Sequence, residues 1–165
     1  MATIVVEDGT VVTGANSYVT TTELSTYATD RGITISGTAA ILLIEAMDYI
    51  ESLDYKGEPW TSTQPLVWPR VDVVIDGWYQ DVEDIPQLLK DAQMEVALAV
   101  DAGTGPLIDL PRNTSRERVG EIEVEYSPGT SSVVIVRKIN YKLRKLLSSG
   151  GTMRVTKARH LQPIC

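Results

Sequence analysis

The chain has 165 residues, a formal net charge of −7 at pH 7 and 43% hydrophobic residues, which suits one domain with its own core and is short for two. It contains no run of about 18 apolar residues and so predicts no membrane-spanning helix. Its single Cys and single His exclude an intrachain disulfide and a zinc site built from those residue types. The first residues lack the layout of a signal peptide, so we expect synthesis in the cytoplasm.

Charge is divided unevenly along the chain. Residues 127–165 hold eight of the 15 Lys and Arg residues and no Asp or Glu, so residues 1–126 carry −15 and residues 127–165 carry +8. A block of one sign is typical of an attachment surface or a tail. The sequence predicts a helical domain with an extended N-terminal arm over 1–147, and a flexible basic C-terminal arm over 148–165.

The first elements are short. Thr3–Val6 has the composition of a β run, and Val11–Thr13 follows a turn, which predicts either a small hairpin or an extended arm. Thr20 and Glu23 have the spacing of a capping box, although Thr21 or Thr22 could also cap. The pattern predicts a first helix from about Thr21 to Asp30, ended by Gly32 and burying Leu24, Tyr27 and Ala28.

A second helix is predicted from a cap at Thr38 to about Asp54. Its apolar residues recur at helical spacing, namely Leu43, Met47, Ile50 and Leu53, with Ile44 and Ala46 widening the stripe. Four carboxylates fall on its other faces, namely Glu45, Asp48, Glu51 and Asp54. No His, Cys or calcium-loop pattern accompanies them, which favours a solvated acidic face over a metal or acid–base site.

Two tryptophans lie in the proline-rich segment Trp60–Arg70. They could stack nucleic-acid bases beside Arg70, but the segment lacks a cluster of cations, which favours packing against the core. An extended piece, Val71–Ile75, and a turn at Asp76–Trp78 follow.

The third helix has the longest apolar stripe and is the predicted central core helix. Asp84 and Gln87 have a capping-box-like spacing, and Gly103 marks the end. The stripe consists of Ile85, Leu88, Leu89, Ala92, Val96 and Ala99. Beyond it, Glu121–Tyr126 alternates apolar and acidic residues and predicts a half-buried strand.

A basic amphipathic helix is predicted over Val133–Leu147. Its inward residues would be Val136, Ile139, Leu143 and Leu146 or Leu147, and its basic face consists of Arg137, Lys138, Lys142, Arg144 and Lys145. Ordinary solvation and a partner surface are equally open interpretations of this face.

Catalytic patterns are absent from the sequence. It has no Gly-rich phosphate loop, no Gly-x-Ser-x-Gly elbow and one His, which lies in the basic tail. We therefore predict no enzyme and no catalytic, cofactor-binding or metal-binding residues. An enzyme with an acidic site on the second helix is the weakest alternative.

Several motifs taken together resemble the head–tail adaptor (head-completion, or connector) proteins of tailed bacteriophages, whose relatives often carry the label DnaT-like single-stranded-DNA-binding protein. The resemblance covers about Val6 to Leu147. The motifs are Val6–Thr10, Ala15–Val19, Tyr27, Arg31-Gly32, Ala46–Ile50, Leu66–Arg70, Ile85-Pro86 and Val119–Tyr126.

The resemblance implies a mainly α fold, a small four-helix domain with a short β-hairpin or strand elements and an extended C-terminal arm. It implies a structural subunit in the virion neck, a homo-oligomeric ring of about twelve copies under the portal protein. Such a ring extends the channel for passing double-stranded DNA without binding it specifically, and offers a platform to a tail-side neck or terminator protein. We expect no membrane partner. The arm that would dock on the portal consists of Arg154, Val155, Lys157, Arg159, His160 and Leu161.

The alternative function is single-stranded-DNA binding, using the basic helix and Tyr141. The two functions differ in salt dependence, because a true nucleic-acid binder loses affinity steeply as salt rises.

Overall fold

The computed structural model of the chain describes residues 2–104 and 138–148, together with the backbone of 116–119 and 122–125. Within these residues there are four helices and three two-stranded antiparallel sheets. The mainly α, four-helix prediction with short strand pairs is therefore confirmed, whereas the predicted arm over 148–165 lies outside the described residues except for Ser148. The elements in chain order are α1 (Thr21–Thr29), α2 (Ala39–Glu51), β1 (Glu58–Pro59), β2 (Arg70–Val71), β3 (Val74–Ile75), β4 (Trp78–Tyr79), α3 (Gln87–Asp101), β5 (Arg116–Val119), β6 (Ile122–Glu125) and α4 (138–143).

The first helix begins at the predicted capping box. The Thr20 hydroxyl accepts a hydrogen bond from the Glu23 N–H, and the Glu23 carboxylate accepts one from the Thr20 N–H. Thr20 is therefore the cap, and two backbone donors that an N-terminus leaves unpaired are satisfied. The three residues predicted for the buried face are all buried.

Helices α2 and α3 pack against each other over an extensive contact. The central position of α3 is confirmed, since Leu89, Ala92 and Val96 are fully buried. Its predicted capping box is wrong. The helix begins at Gln87 after Pro86, without a side-chain cap, and the Gln87 amide donates to Asp91 instead.

The second helix ends at Glu51, three residues before the predicted Asp54. Ser52 closes it, and the Ser52 hydroxyl donates to the Tyr49 carbonyl. Leu43, Met47 and Ile50 are buried as expected, whereas Leu53 is only half-buried.

The N-terminal segment forms an extended arm rather than a hairpin. A single parallel bridge joins Val6 to Ser17, and the segment wraps around the buried Glu7 carboxylate, which accepts hydrogen bonds from the N–H groups of Gly9, Val11 and Val12. A buried carboxylate is expensive unless its oxygens are paired, so these three bonds make its burial tolerable.

The extended piece predicted over Val71–Ile75 is divided between two strand pairs. β1 pairs with β2, and β3 pairs with β4 across a turn at Asp76 and Gly77. A third pair joins β5 to β6. The strand predicted at Glu121–Tyr126 corresponds to β6, while β5 falls in a stretch for which we predicted no element. The burial of these two strands lies outside what the structure describes.

In the described part of the chain, no helix has the length and apolar character needed to cross a membrane.

Candidate functional site

Helix α4 is fixed to the body by its apolar side. The helix ends at residue 143, four residues before the predicted Leu147, and residues 144–146 form a turn. Ile139 and Leu143 on the helix and Leu146 in that turn are fully buried, as predicted. The chain beyond the helix is also held, because the Lys56 N–H donates to the Leu146 carbonyl at 2.9 Å. These contacts set the orientation of the opposite, charged side of α4.

The charged side of α4 and of the turn that follows it borders an open concavity. We call it the basic groove. Its volume is about 630 Å³, and its lining residues are Leu88, Lys138, Tyr141, Lys142, Arg144 and Lys145.

Two lysines of the groove pair with carboxylates of α3. Lys138 Nζ lies 2.7 Å from Glu95 Oε2, and Lys142 Nζ lies 3.2 Å from Asp91 Oδ2. Each pair of partners is spaced four residues apart on its own helix, so the two bridges follow one another along the two helices. The contacts tie α4 to α3. Lys138 and Lys142 still contribute their ammonium groups to the lining of the groove.

The third lysine, Lys145, pairs with the turn of the β3–β4 hairpin. Its ammonium contacts the carboxylate of Asp76, which is the first of the two turn residues. The hairpin therefore lies directly beside the basic groove.

Glu95 is the most buried of the acidic partners, with 8% of its side chain exposed. Its Oε1 accepts a 2.6 Å hydrogen bond from the Tyr27 hydroxyl and lies 3.8 Å from Arg31 Nε. Burial raises the pKa of Tyr27 far above its ordinary value, and the hydrogen bond to Glu95 adds to the effect. The Arg31 guanidinium also lies 3.3 Å from the centre of the Tyr27 ring. This network joins α1, α3 and α4.

Tyr141 and Arg144 form the exposed end of the groove. The Tyr141 side chain is 66% exposed, and the Arg144 guanidinium lies 4.2 Å from the centre of its ring. A cation over an aromatic face is attracted by the ring quadrupole. The pair offers a flat π surface and guanidinium donors to the same ligand.

Four of the five residues predicted for the basic face are thus placed around one groove, and the fifth, Arg137, lies outside the described residues. The six residues predicted for the portal-docking arm, Arg154, Val155, Lys157, Arg159, His160 and Leu161, also lie outside them.

The acidic partners of the lysines were missed by sequence reasoning, although a signal was present. Asp91 and Glu95 are four residues apart on one face of a helix, and Lys138 and Lys142 have the same spacing. An acidic pair and a basic pair with the same spacing on two helices predict that the two helices are neighbours. The exposed aromatic pair Trp78 and Tyr79 was missed as well, because we interpreted the segment only as a turn.

The tryptophan segment packs as predicted and does not form a base-stacking site around Arg70. Trp68 is fully buried and its ring lies edge-on to that of Tyr55, with the centroids 6.0 Å apart. The Arg70 guanidinium donates hydrogen bonds to the backbone carbonyls of Lys56 and Gly57 at 2.7 and 2.6 Å. Its donors are therefore engaged within the protein.

The acidic face of α2 is solvated at Glu45 and Asp48, as predicted. Glu51 differs, because its carboxylate accepts hydrogen bonds from the Tyr18 hydroxyl and the Val67 N–H at 2.7 and 2.6 Å. Among the residues with described side chains, no group of three potential ligands is placed to hold a metal ion.

A family model described as "Putative DnaT-like ssDNA binding protein" matches residues 2–160. No curated protein and no solved structure matches the chain.

This match corrects the function that we expected from the phage resemblance. The head–tail adaptor function is wrong by this comparison, because the description of the matching family names single-stranded-DNA binding, our alternative, and contains no structural virion role. The ring, the portal and tail-side contacts and the virion location remain untested predictions. Since the match spans almost the whole chain, the chain belongs to the family of DnaT-like single-stranded-DNA-binding proteins.

Proposed function

We propose that this protein binds single-stranded DNA in the basic groove, with an unpaired base stacked on Tyr141. The observation that carries the proposal is the pairing of Tyr141, which is 66% exposed, with Arg144 at the edge of a groove lined by three lysines. Family membership supports the same ligand.

Stacking explains a preference for single strands. A base within a duplex already has its faces covered by its neighbours, whereas an unpaired base can lie against an aromatic ring. Stacking of this kind contributes about 1–3 kcal/mol per base and tolerates any base, because every base has a π face. Tyr141 can therefore bind DNA without reading its sequence.

The lysines of the groove remain available to phosphates despite their carboxylate partners. An ammonium has three N–H donors, and each carboxylate contact uses only part of them. Lys138 and Lys145 keep 57% and 40% of their side chains exposed. A phosphate entering the groove would share these cations with Glu95 and Asp76.

The acidic character of the rest of the chain shapes this binding. The net charge of −7 repels a polyanion at long range, so attraction is confined to the groove and adjacent cations. We expect a short binding site and an affinity that falls as salt screens the few phosphate contacts.

Fluorescence anisotropy with labelled oligothymidine tests the proposal. The wild-type protein should bind the single strand more tightly than a duplex of equal length, and added salt should weaken binding. Tyr141→Ala should weaken binding by about tenfold or more, through loss of the stacked base, whereas Tyr141→Phe keeps the ring and should bind like the wild type.

Two cation variants complete the design. Arg144→Ala should weaken binding, and Lys90→Ala, which removes a cation on α3 that does not line the groove, should have little effect. Absence of binding by the wild-type protein at low salt, or equal binding by Tyr141→Ala and Tyr141→Phe, contradicts the proposal.

A further inference from the structure

The β3–β4 hairpin presents two large aromatic side chains that the fold leaves uncovered. Trp78 and Tyr79 are each 80% exposed. The hairpin is closed by a two-residue turn, Asp76 and Gly77, both with positive φ (52° and 88°), which is the geometry of the tight turns that suit twisted strands. Tyr and Trp are enriched in protein interfaces, since their large rings bury much area with few rotatable bonds.

The charge around these rings indicates what covers them. Residues 72–84 contain five carboxylates and no Lys or Arg, and all five acidic side chains are exposed: Asp72, Asp76, Asp81, Glu83 and Asp84. Such a segment repels phosphates, so nucleic acid is a poor occupant. A partner with cations and an apolar or aromatic lining fits it instead.

The basic groove of another copy has this chemistry. Its lining combines Leu88 and the Tyr141 ring with four cations. Within one chain, the contact between Lys145 and Asp76 places the hairpin next to the groove, so a single face carries both an acidic aromatic projection and a basic concavity. A face that holds both complementary parts can pair with itself about a two-fold axis.

We propose that two copies of this chain associate reciprocally, the Trp78–Tyr79 hairpin of each copy docking in the basic groove of the other. Burial of the two rings supplies the apolar contribution, and the exposed carboxylates that flank the hairpin in residues 72–84 meet Lys138, Lys142 and Arg144 of the other copy. Docking also covers Tyr141. Self-association and single-stranded-DNA binding therefore exclude one another at this groove.

Sedimentation velocity without DNA tests the association. The wild-type protein should pass from monomer to dimer as its concentration rises to about 200 µM, which spans the range of weak specific complexes. Trp78→Ala/Tyr79→Ala should remain monomeric, whereas Ile41→Ala, which shortens an exposed apolar side chain on α2 outside this face, should dimerise like the wild type. Thermal melts followed by circular dichroism check that all three are folded.

Mixing two variants tests the reciprocal geometry. The groove variant Tyr141→Ala/Arg144→Glu keeps its hairpin, and the hairpin variant keeps its groove, so each should be monomeric alone while the mixture retains one intact contact and forms a heterodimer. A monomeric wild type across the whole range, unchanged dimerisation of the hairpin variant, or a mixture of two folded variants that stays monomeric overturns the proposal.

Competition with oligothymidine separates this proposal from the proposed function. If the groove serves both ligands, added single-stranded DNA should convert the dimer to monomers bound to DNA. A dimer that forms but ignores DNA leaves the reciprocal pairing intact and contradicts DNA binding in the groove. DNA that binds the dimer without dissociating it overturns the docking of the hairpin in the groove.

Discussion

Lys138 and Glu95 are joined by a 2.7 Å contact between Nζ and Oε2 that bridges α4 and α3. The lysine end is largely exposed and the carboxylate end is almost buried. One ion pair therefore connects the surface of the basic groove with a network inside the protein. The cations that we assign to DNA also hold the helix that carries them.

Replacing Glu95 by Gln should destabilise the protein. The amide oxygen of Gln can still accept a hydrogen bond from the Tyr27 hydroxyl. The amide nitrogen would then face the Lys138 ammonium, and no hydrogen bond forms between two donors. Loss of hydrogen bonds to a buried charged group costs about 1.5–3 kcal/mol. Urea denaturation measures the change, with Glu45→Gln on the exposed side of α2 as the matched control, for which we expect a change within about 0.5 kcal/mol. Equal stability of the two variants would contradict the structural role of Glu95.

Glu51 should make stability depend on pH. Burial raises the pKa of its carboxyl above the ordinary value, and the hydrogen bonds from Tyr18 and Val67 only partly offset this effect. The folded state then binds the proton more tightly than the unfolded state does, so the contribution of Glu51 is largest at low pH and is lost as pH rises through the folded pKa.

The variant Glu51→Gln isolates this contribution. Wild-type stability relative to Glu51→Gln should fall as pH is raised from about 4 to about 7, measured by urea denaturation at each pH. Glu45→Gln, with an exposed carboxylate, should show no such trend relative to the wild type. A difference between wild type and Glu51→Gln that rises with pH would show that the hydrogen bonds outweigh burial.

Gly57 should tolerate no side chain. Its φ is +68°, and a Cβ there would lie 2.0 Å from the Val71 carbonyl oxygen. Gly14 has a similar φ of +74° but no atom within 4 Å of the same position. Both Gly→Ala variants bear the cost of the left-handed conformation, about 1–2 kcal/mol.

Gly57→Ala should therefore lose more stability than Gly14→Ala, because it must also move the strand that carries Val71. Thermal denaturation of the two variants side by side measures the difference. Equal losses would mean that the β1–β2 pair adjusts freely around Gly57.

Leu143 should contribute to the common core although it lies on the basic helix. Its side chain is fully buried, so Leu143→Ala should lower the free energy of unfolding by about 2–5 kcal/mol. Ile33→Ala, at an exposed aliphatic side chain, should cost far less. A small loss for Leu143→Ala would show that α4 is only loosely attached to the body.

Local patterns predicted much of the fold. The capping box of Thr20 and Glu23 and the apolar stripes of α2 and α3 are set by neighbours within two turns of a helix, and such signals can be read from the sequence. The predicted capping box of α3 does not form, because the Gln87 side chain donates a hydrogen bond to Asp91, one turn further along the helix. That is a competition between local hydrogen bonds that residue spacing alone does not decide.

Tertiary contacts explain the other differences. The basic face of α4 was visible as a pattern, but its pairing with Asp91, Glu95 and Asp76 depends on how α4 packs against α3 and the hairpin. Glu51 was grouped with the solvated carboxylates because the loop that covers it, with Val67, is distant in sequence. The exposure of Trp78 and Tyr79 likewise depends on where the hairpin projects from the body.

The backbone joins the end of α4 to the segment after α2. The Ser148 N–H donates to the Asp54 carbonyl, the Lys56 N–H donates to that of Leu146, and Tyr55 bridges Leu147. A shortened version that stops after α3 would lose this clasp and leave the surface that receives Ile139 and Leu143 open to water. Such a fragment should expose apolar surface, bind a dye such as ANS and precipitate. Biochemical work therefore needs a polypeptide that reaches at least Ser148.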